Sequence, residues 1–205
     1  MTTVARRLAI VLVALVTAAC GLTNTGDPKV AAMVGDASIP TSVIQENFDR
    51  QRDSQMFQQQ TQQDTTGQLA FEAQAQIVTA LVRSEILRHV AERHDVHVND
   101  ADVDAAVDQI TEQVGGREEL KRRLDEQGFS EELFLQQMQD EQLRLALQER
   151  AGGENQFADF LRNELTDVPI EINPRYGEWD ADSIQVRPVD PLADAGDEAS
   201  PASGP

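Results

Sequence analysis

Residues 76–110 read QIVTALVRSEILRHVAERHDVHVNDADVDAAVDQI, and this stretch decides the fold. Its apolar residues (Ile77, Val78, Leu81, Val82, Ile86, Leu87, Val90 and Ala91) recur at spacings of three and four. That is the period of a helix whose apolar stripe is wide enough to be covered from more than one side. Two alternating valines, Val96 and Val98, follow in a short connection and plug the end of the core. Asn99 then stands as a cap before a second apolar-periodic run (Val103, Ala106, Val107, Ile110, Val114), with Asp100 and Asp102 in the first turn, where the positive helix end favours acids. The long helix is predicted over Leu69–His94.

Outward from this pair the same logic continues. Gly115-Gly116 stops the second helix, and a short helix follows over 117–127, with Leu120 and Leu124 one turn apart. Gly128 is placed as a left-handed cap with Phe129 as its apolar contact, and Ser130 starts a helix running to about Ala151 with Leu133, Phe134, Leu135, Met138, Leu145 and Leu147 as apolar members. Gly152-Gly153 ends it, and a last helix is predicted over 154–165. Upstream, Val30–Ile39 reads as a strand and a tight turn at Gly35-Asp36. Pro40 and Thr41 then mark a helix, capped by Thr41 or Ser42 and carried to about Phe57. Gln58–Gly67 (QQQTQQDTTG) reads as a polar loop or frayed end, and residues 168–179 turn strand-like. The fold class is mainly α, a multi-helix domain with a few short strands near 30–39 and 168–180.

The chain of 205 residues is 4% aromatic and 40% apolar, so its core is built from aliphatic side chains. A net charge of -19 repels phosphates and argues against nucleic acid as a partner. Arg6 and Arg7 precede an apolar run from Leu8 to Val16 and the small residues Thr17, Ala18 and Ala19. This is the build of a secretory signal, too short for a stable spanning helix. The lone cysteine, Cys20, follows at once in T-A-A-C-G, which resembles a bacterial lipobox. That resemblance implies removal of residues 1–19, a diacylglycerol on Cys20 and an extracytoplasmic, lipid-anchored chain whose only attached group is the covalent lipid. Each buried methylene of such an anchor contributes about 0.8 kcal/mol. Residues 20–29 read as a tether, 30–180 as the helical domain, and 181–205 as a disordered acidic tail rich in Pro, Ala and Ser.

The stretches LVRSEILRHVAERHDVHVNDADVDAAVDQI and GREELKRRLDEQGFSEELFLQQMQDEQLRLAL together resemble the N-terminal domain of SurA-type chaperones, a module shared with the foldase PrsA and with trigger-factor-like proteins. Leu87, Ala91, Val96, Val98, Asn99 and Asp100 meet the first family pattern, and Leu124, Gly128, Phe129, Ser130 and Phe134 the second. The resemblance implies a chaperone or holdase that binds unfolded or newly exported polypeptides. The parvulin isomerase domain of SurA and PrsA is not expected here, since the residues after Ala151 are too few for it, so a degenerate prolyl isomerase is disfavoured. An envelope scaffold binding one folded partner is the alternative.

No catalytic constellation is present, and the chain is not expected to be an enzyme. His94, His97 and Asp100 could meet at a turn, but no third ligand has a metal-site spacing. Asp100, Asp102 and Asp104 begin like a calcium loop, yet Ala105 and Thr111 stand where glycine and glutamate are needed. Neither a metal nor another cofactor is expected. Phe71, Phe129, Phe134, Met138 and Phe160 either belong to the core or line a client-binding surface, expected as a cleft between the helical body and a strand-bearing arm. Asn173–Asp180 either closes the domain or meets a partner.

Overall fold

The computed structural model describes residues 27–188. In chain order these form β1 (Val30–Val34), β2 (Ala37–Pro40), α1 (Thr41–Arg52), α2 (Gln55–Thr61), α3 (Leu69–Arg93), α4 (Asp100–Val114), α5 (Arg117–Gln127), α6 (Glu131–Arg150), α7 (Glu154–Glu164), β3 (Ile170–Ile172), β4 (Glu178–Asp180) and β5 (Gln185–Arg187). The mainly helical architecture with a few short strands is the one the sequence predicts. The predicted lipidation site, Cys20, lies outside the described residues.

The long helix α3 is the mast of the molecule. Val78, Val82 and Val90 have no exposed surface, and Ala75 and Ile86 have almost none. They are covered by α1, α6, β1 and β5, so the broad apolar stripe is enclosed from several directions. Fully burying an aliphatic side chain of this size contributes about 1.5–3 kcal/mol. Leu147 of α6, also without exposed surface, and Leu161 of α7 complete the same cluster.

The predicted caps Asn99 and Ser130 act where the sequence placed them. Asn99 accepts from the Ala101 amide at 3.0 Å and starts α4. The Ser130 hydroxyl accepts from the Leu133 amide at 3.1 Å and starts α6. Gly115 and Gly128 end α4 and α5 in the left-handed region. Acidic first turns accompany both capped starts and favour the positive helix end.

The first helix corrects the sequence reading. It ends at Arg52 rather than near Phe57, and it begins at Thr41 with Pro40 in the cap position. Thr41 does not cap the helix; its hydroxyl donates to the Pro28 carbonyl at 2.9 Å. Ser54 causes the break. Its hydroxyl donates to the Gln51 carbonyl at 2.6 Å, closing α1, and accepts from the Phe57 amide at 3.2 Å, opening α2. The chain turns there, and Phe57 comes back edge-on to Phe48 at 6.0 Å between centroids. Met56 is 53% exposed, and the glutamine-rich run, read as a polar loop or frayed helix end, is helical as far as Thr61. Leu135 and Leu145 of α6 also stand outside, each 43% exposed.

Three strands form a sheet in the order β2-β1-β3, antiparallel throughout. The central strand β1 carries Ala31, Ala32 and Val34 buried, and an irregularity between Val30 and Ala32 frees the Ala31 carbonyl to accept from the Asn173 amide at 2.8 Å. The side-chain amide of Asn173 donates to the Val30 carbonyl at 3.0 Å, so one residue fastens β3 to β1 across 143 positions of sequence. Asp27–Lys29, read as tether, join this fold: the Thr41 amide donates to the Lys29 carbonyl at 2.8 Å.

Residues 181–188, read as the start of a disordered tail, also belong to the fold. β4 and β5 form an antiparallel hairpin with Trp179 opposite Val186. Thr79 of α3 holds it: the Val186 amide donates to the Thr79 hydroxyl at 2.9 Å, in the interior. Arg83 reaches the Ile184 carbonyl from the same helix at 2.7 Å. The segment Asn173–Asp180 therefore closes the domain. Tyr176 is buried beneath the Arg175 guanidinium, which lies 5.2 Å from its ring centroid. Gly177 lets β4 approach β5, since a Cβ there would sit 2.1 Å from the Arg187 carbonyl oxygen.

Gly177→Ala is expected to lower unfolding free energy by about 2–4 kcal/mol in urea titrations, because both the left-handed backbone (φ +133) and the close approach forbid a side chain. A loss below half a kcal/mol would contradict this account of the closing hairpin.

Candidate functional site

Two concavities flank the packing of α6 on α3. The first, about 200 Å³, is roofed by α1 and by the turn between α5 and α6. Its floor is apolar: Ile77 and Leu81 of α3, Phe129 of the turn and Leu133 of α6. Its rim is made of neutral amides: Asn47, Gln51, Gln76, Gln127, Gln136 and Gln137.

Local geometry builds this wall. Gly128 adopts φ +77 to end α5, and the Phe129 amide returns to the Leu124 carbonyl at 2.8 Å. A Cβ at Gly128 would lie 2.8 Å from the Arg50 carbonyl oxygen and 3.0 Å from the Gln51 Cα. The missing side chain thus lets the end of α5 touch α1, and the two residues flanking Gly128 become part of the cavity wall. Ser54 assists from the other side, because ending α1 at Arg52 opens the space the end of α5 enters.

The second concavity, about 710 Å³, lies between the end of α3, the 96–98 connection, α4 and α6. Val96, Val98, Val103, Leu135 and Leu143 form its apolar part, Arg88, Glu92, Asp100 and Glu132 charge its edge, and His97 also lines it. The helix pair α4–α5 is the outlying arm of the molecule. Only Val103 of α4 is buried, and α5 buries nothing. The surface of α5 is laced by ion pairs instead. Hydrogen bonds first from Arg122 and then from Arg123 hold the Glu119 carboxyl down to about 2.

Between the two concavities runs a polar seam. Ser84, buried in α3, receives the Arg88 guanidinium and the Gln136 amide, each at 3.4 Å. Asp140 of α6 lines both spaces. Burial raises its carboxyl above the ordinary value of 3.8, while hydrogen bonding to Ser84 and the charge of Arg88 pull the other way.

The five apolar residues singled out in the sequence separate in the fold. Phe129 lines the first cavity. Phe134 faces the core at 8% exposure. Phe160 is half-buried against the ring of His94, at 5.1 Å. Met138 is half-buried on α6 outside both concavities, and Phe71 is 42% exposed at the start of α3, away from them. A concavity of about 340 Å³ does open beside the strands, between the end of α7, Val168, Ile170 of β3 and Trp179 of β4, but none of the five residues lines it and it borders no strand-bearing arm of the kind expected. The strands are packed into the core on α3, and helices form the arm. The residues that sequence reasoning missed are the glutamines. Gln76 falls one turn before Ala80, and Gln136 and Gln137 lie beside Leu133, so their helical spacing put them on the cavity edge; their polarity read as solvated surface.

His94 faces Glu164 at 3.0 Å, not His97, and His97 pairs with Asp95 at the surface. Among the described residues no three His, Cys, Asp or Glu side chains converge to hold a metal ion. No helix there is long and apolar enough to cross a membrane.

A carboxyl whose folded pKa is raised contributes stability that is fully present below its unfolded pKa and lost as pH rises through the folded value. Asp140→Asn is therefore expected to raise the thermal midpoint at pH 7 and to match the parent below pH 3.8, the ordinary carboxylate value. Thermal unfolding of both chains across pH 3–8 checks this; a variant less stable than the parent at pH 7 contradicts it.

Compared with known proteins, the chain is matched by the family model described as SurA-like N-terminal domain over residues 2–149, which takes in everything from β1 to the last turn of α6. No curated protein matches it.

Proposed function

The chain belongs to the SurA-like N-terminal domain family, and we propose that it is a membrane-anchored, extracytoplasmic holdase that binds unfolded or newly exported polypeptides without catalysis. SurA-like N-terminal domains generally bind unfolded polypeptides, and the match over residues 2–149 supports a chaperone-type reading. The observation that carries the reading is the apolar-floored cavity between α3, α6 and the Gly128-Phe129 turn. Apolar surface left concave and accessible on an otherwise charged protein suits transient binding of exposed apolar segments. Binding shields such a segment from self-association, and release lets it fold. No reacting group is required.

The anchor in this reading rests on the lipobox-like sequence T-A-A-C-G at residues 17–21. A diacylglyceryl thioether on Cys20 would hold the domain at the outer face of the membrane, where exported chains emerge. The acidic surface keeps the domain off anionic lipid and favours basic clients.

The full chain in detergent micelles is expected to suppress aggregation of reduced insulin, followed by light scattering, at equimolar to several-fold excess. Ile77→Asp, which puts a charge on the cavity floor, is expected to weaken suppression at least about threefold. No suppression at several-fold excess by the parent chain refutes the holdase reading. For the anchor, Cys20→Ser is expected to abolish incorporation of a clickable fatty acid and to release the protein from the membrane fraction; labelling that persists in the variant refutes lipidation at Cys20.

A further inference from the structure

The first cavity differs from the rest of the surface in the chemistry of its rim. The chain carries 36 acidic and 17 basic residues, yet six neutral amides border this one space and Asp140 is its sole ionisable lining residue. The neighbouring concavity, by contrast, is edged by Arg88, Glu92, His97, Asp100 and Glu132. The amides come from four places: Asn47 and Gln51 from α1, Gln76 from α3, Gln127 from the end of α5, and Gln136 and Gln137 from α6. Among the described residues, the side chains of Gln51, Gln76, Gln127 and Gln137 make no hydrogen bond to another protein group. Asn47 donates to the Val43 carbonyl and keeps its oxygen open, and Gln136 reaches Ser84 at 3.4 Å.

A carboxamide donates and accepts, bears no charge, and presents either edge after rotation. A ring of them around an apolar floor matches an extended peptide backbone, which offers alternating N–H and C=O groups whatever its sequence. A rim of carboxylates or guanidinium groups would instead select for charge. The floor of Ile77, Leu81, Phe129 and Leu133, in a space of about 200 Å³, suits one side chain of leucine or methionine size. No basic residue lines the cavity to pair an acid, and the Asp140 carboxylate repels one.

The geometry points to a backbone-reading site: the cavity binds an extended polypeptide segment through its main-chain amides, with one aliphatic side chain in the floor and with acidic side chains excluded. This rests on the holdase reading and adds the class of segment taken.

The test uses the full chain in detergent micelles and fluorescein-labelled nine-residue peptides with blocked termini, followed by anisotropy. One peptide has a central leucine among serine, glycine and threonine. A second has aspartate at the centre. A third is the leucine peptide N-methylated at the amides on each side of the leucine, which removes two donors and keeps the side chain. The leucine peptide is expected to bind, and each of the others to bind about tenfold more weakly, the effect of losing two hydrogen bonds or of burying a charge. Ala80→Trp, which fills the cavity from an exposed position of α3, is expected to lose leucine-peptide binding at an unchanged thermal midpoint. Equal affinity of the N-methylated and parent peptides, tighter binding of the aspartate peptide, or full binding by the Ala80→Trp chain overturns the inference. The insulin assay on the same preparations separates the two claims. Suppression without leucine-peptide binding removes the backbone-reading site and leaves the holdase; peptide binding without suppression does the reverse.

Discussion

The enclosure of α3 is the constraint on which the rest of the structure depends. A helix with buried residues at Ala75, Val78, Val82, Ile86 and Val90 and also at Ala73, Ser84 and Ala91 cannot rest on one surface. It needs partners on several sides, and the chain supplies them from both of its ends. β1 and α1 come from before it and β3, β5, α6 and α7 from after it. Asn173, which follows β3 and reaches β1, and Thr79 of α3, which receives β5, are the polar fasteners that hold these late strands to early elements, each satisfying a backbone group. The body is therefore closed only when the segment up to Arg187 has docked.

That closure leaves α4 and α5 outside. The two helices are attached by Val103 on one side and by the Gly128 contact with α1 on the other, and they bury little between them. Concavities arise on both sides of α6 because the arm bridges from the far end of α3 back to α1 without filling the space beneath it. A rigid, enclosed mast beside a lightly attached arm places accessible apolar floor next to an ordered core. The low apolar contact of the arm puts its opening at the inexpensive end of the molecule's local motions.

Much of this was legible in sequence where the signal is local. The 3.6-residue period of α3, the caps at Asn99 and Ser130, and the glycine stops at Gly115 and Gly128 are decided within a turn or two of chain. The break at Ser54 was not legible, because one hydroxyl closes α1 and opens α2, and its neighbours read as helix-compatible throughout. β4 falls within the strand-like segment expected near 168–180, but its partner β5 was missed because Val186 gains its place from Thr79, 107 residues away, and nothing near Gln185 announces a strand. The cavity shows the same limit. Phe129 was singled out as an apolar residue, whereas the glutamines at its rim acquire meaning only when α1, α3 and α6 bring them together. Phe134 illustrates the converse: the same apolar character that made it a client candidate placed it in the interior.

The central claim is that unfolded polypeptide contacts the α3–α6 cavity and not the exposed apolar residues elsewhere. A photo-crosslinking amino acid placed singly at Ala80, on the cavity wall, or at Leu145, an exposed leucine of α6 that lines neither concavity, measures this directly. With reduced, unfolded insulin as the defined client, the account predicts strong crosslinking from position 80, little from position 145, and loss of the position-80 signal when the client is folded. Equal yields from the two positions, or a yield from position 80 that is indifferent to client folding, would contradict it.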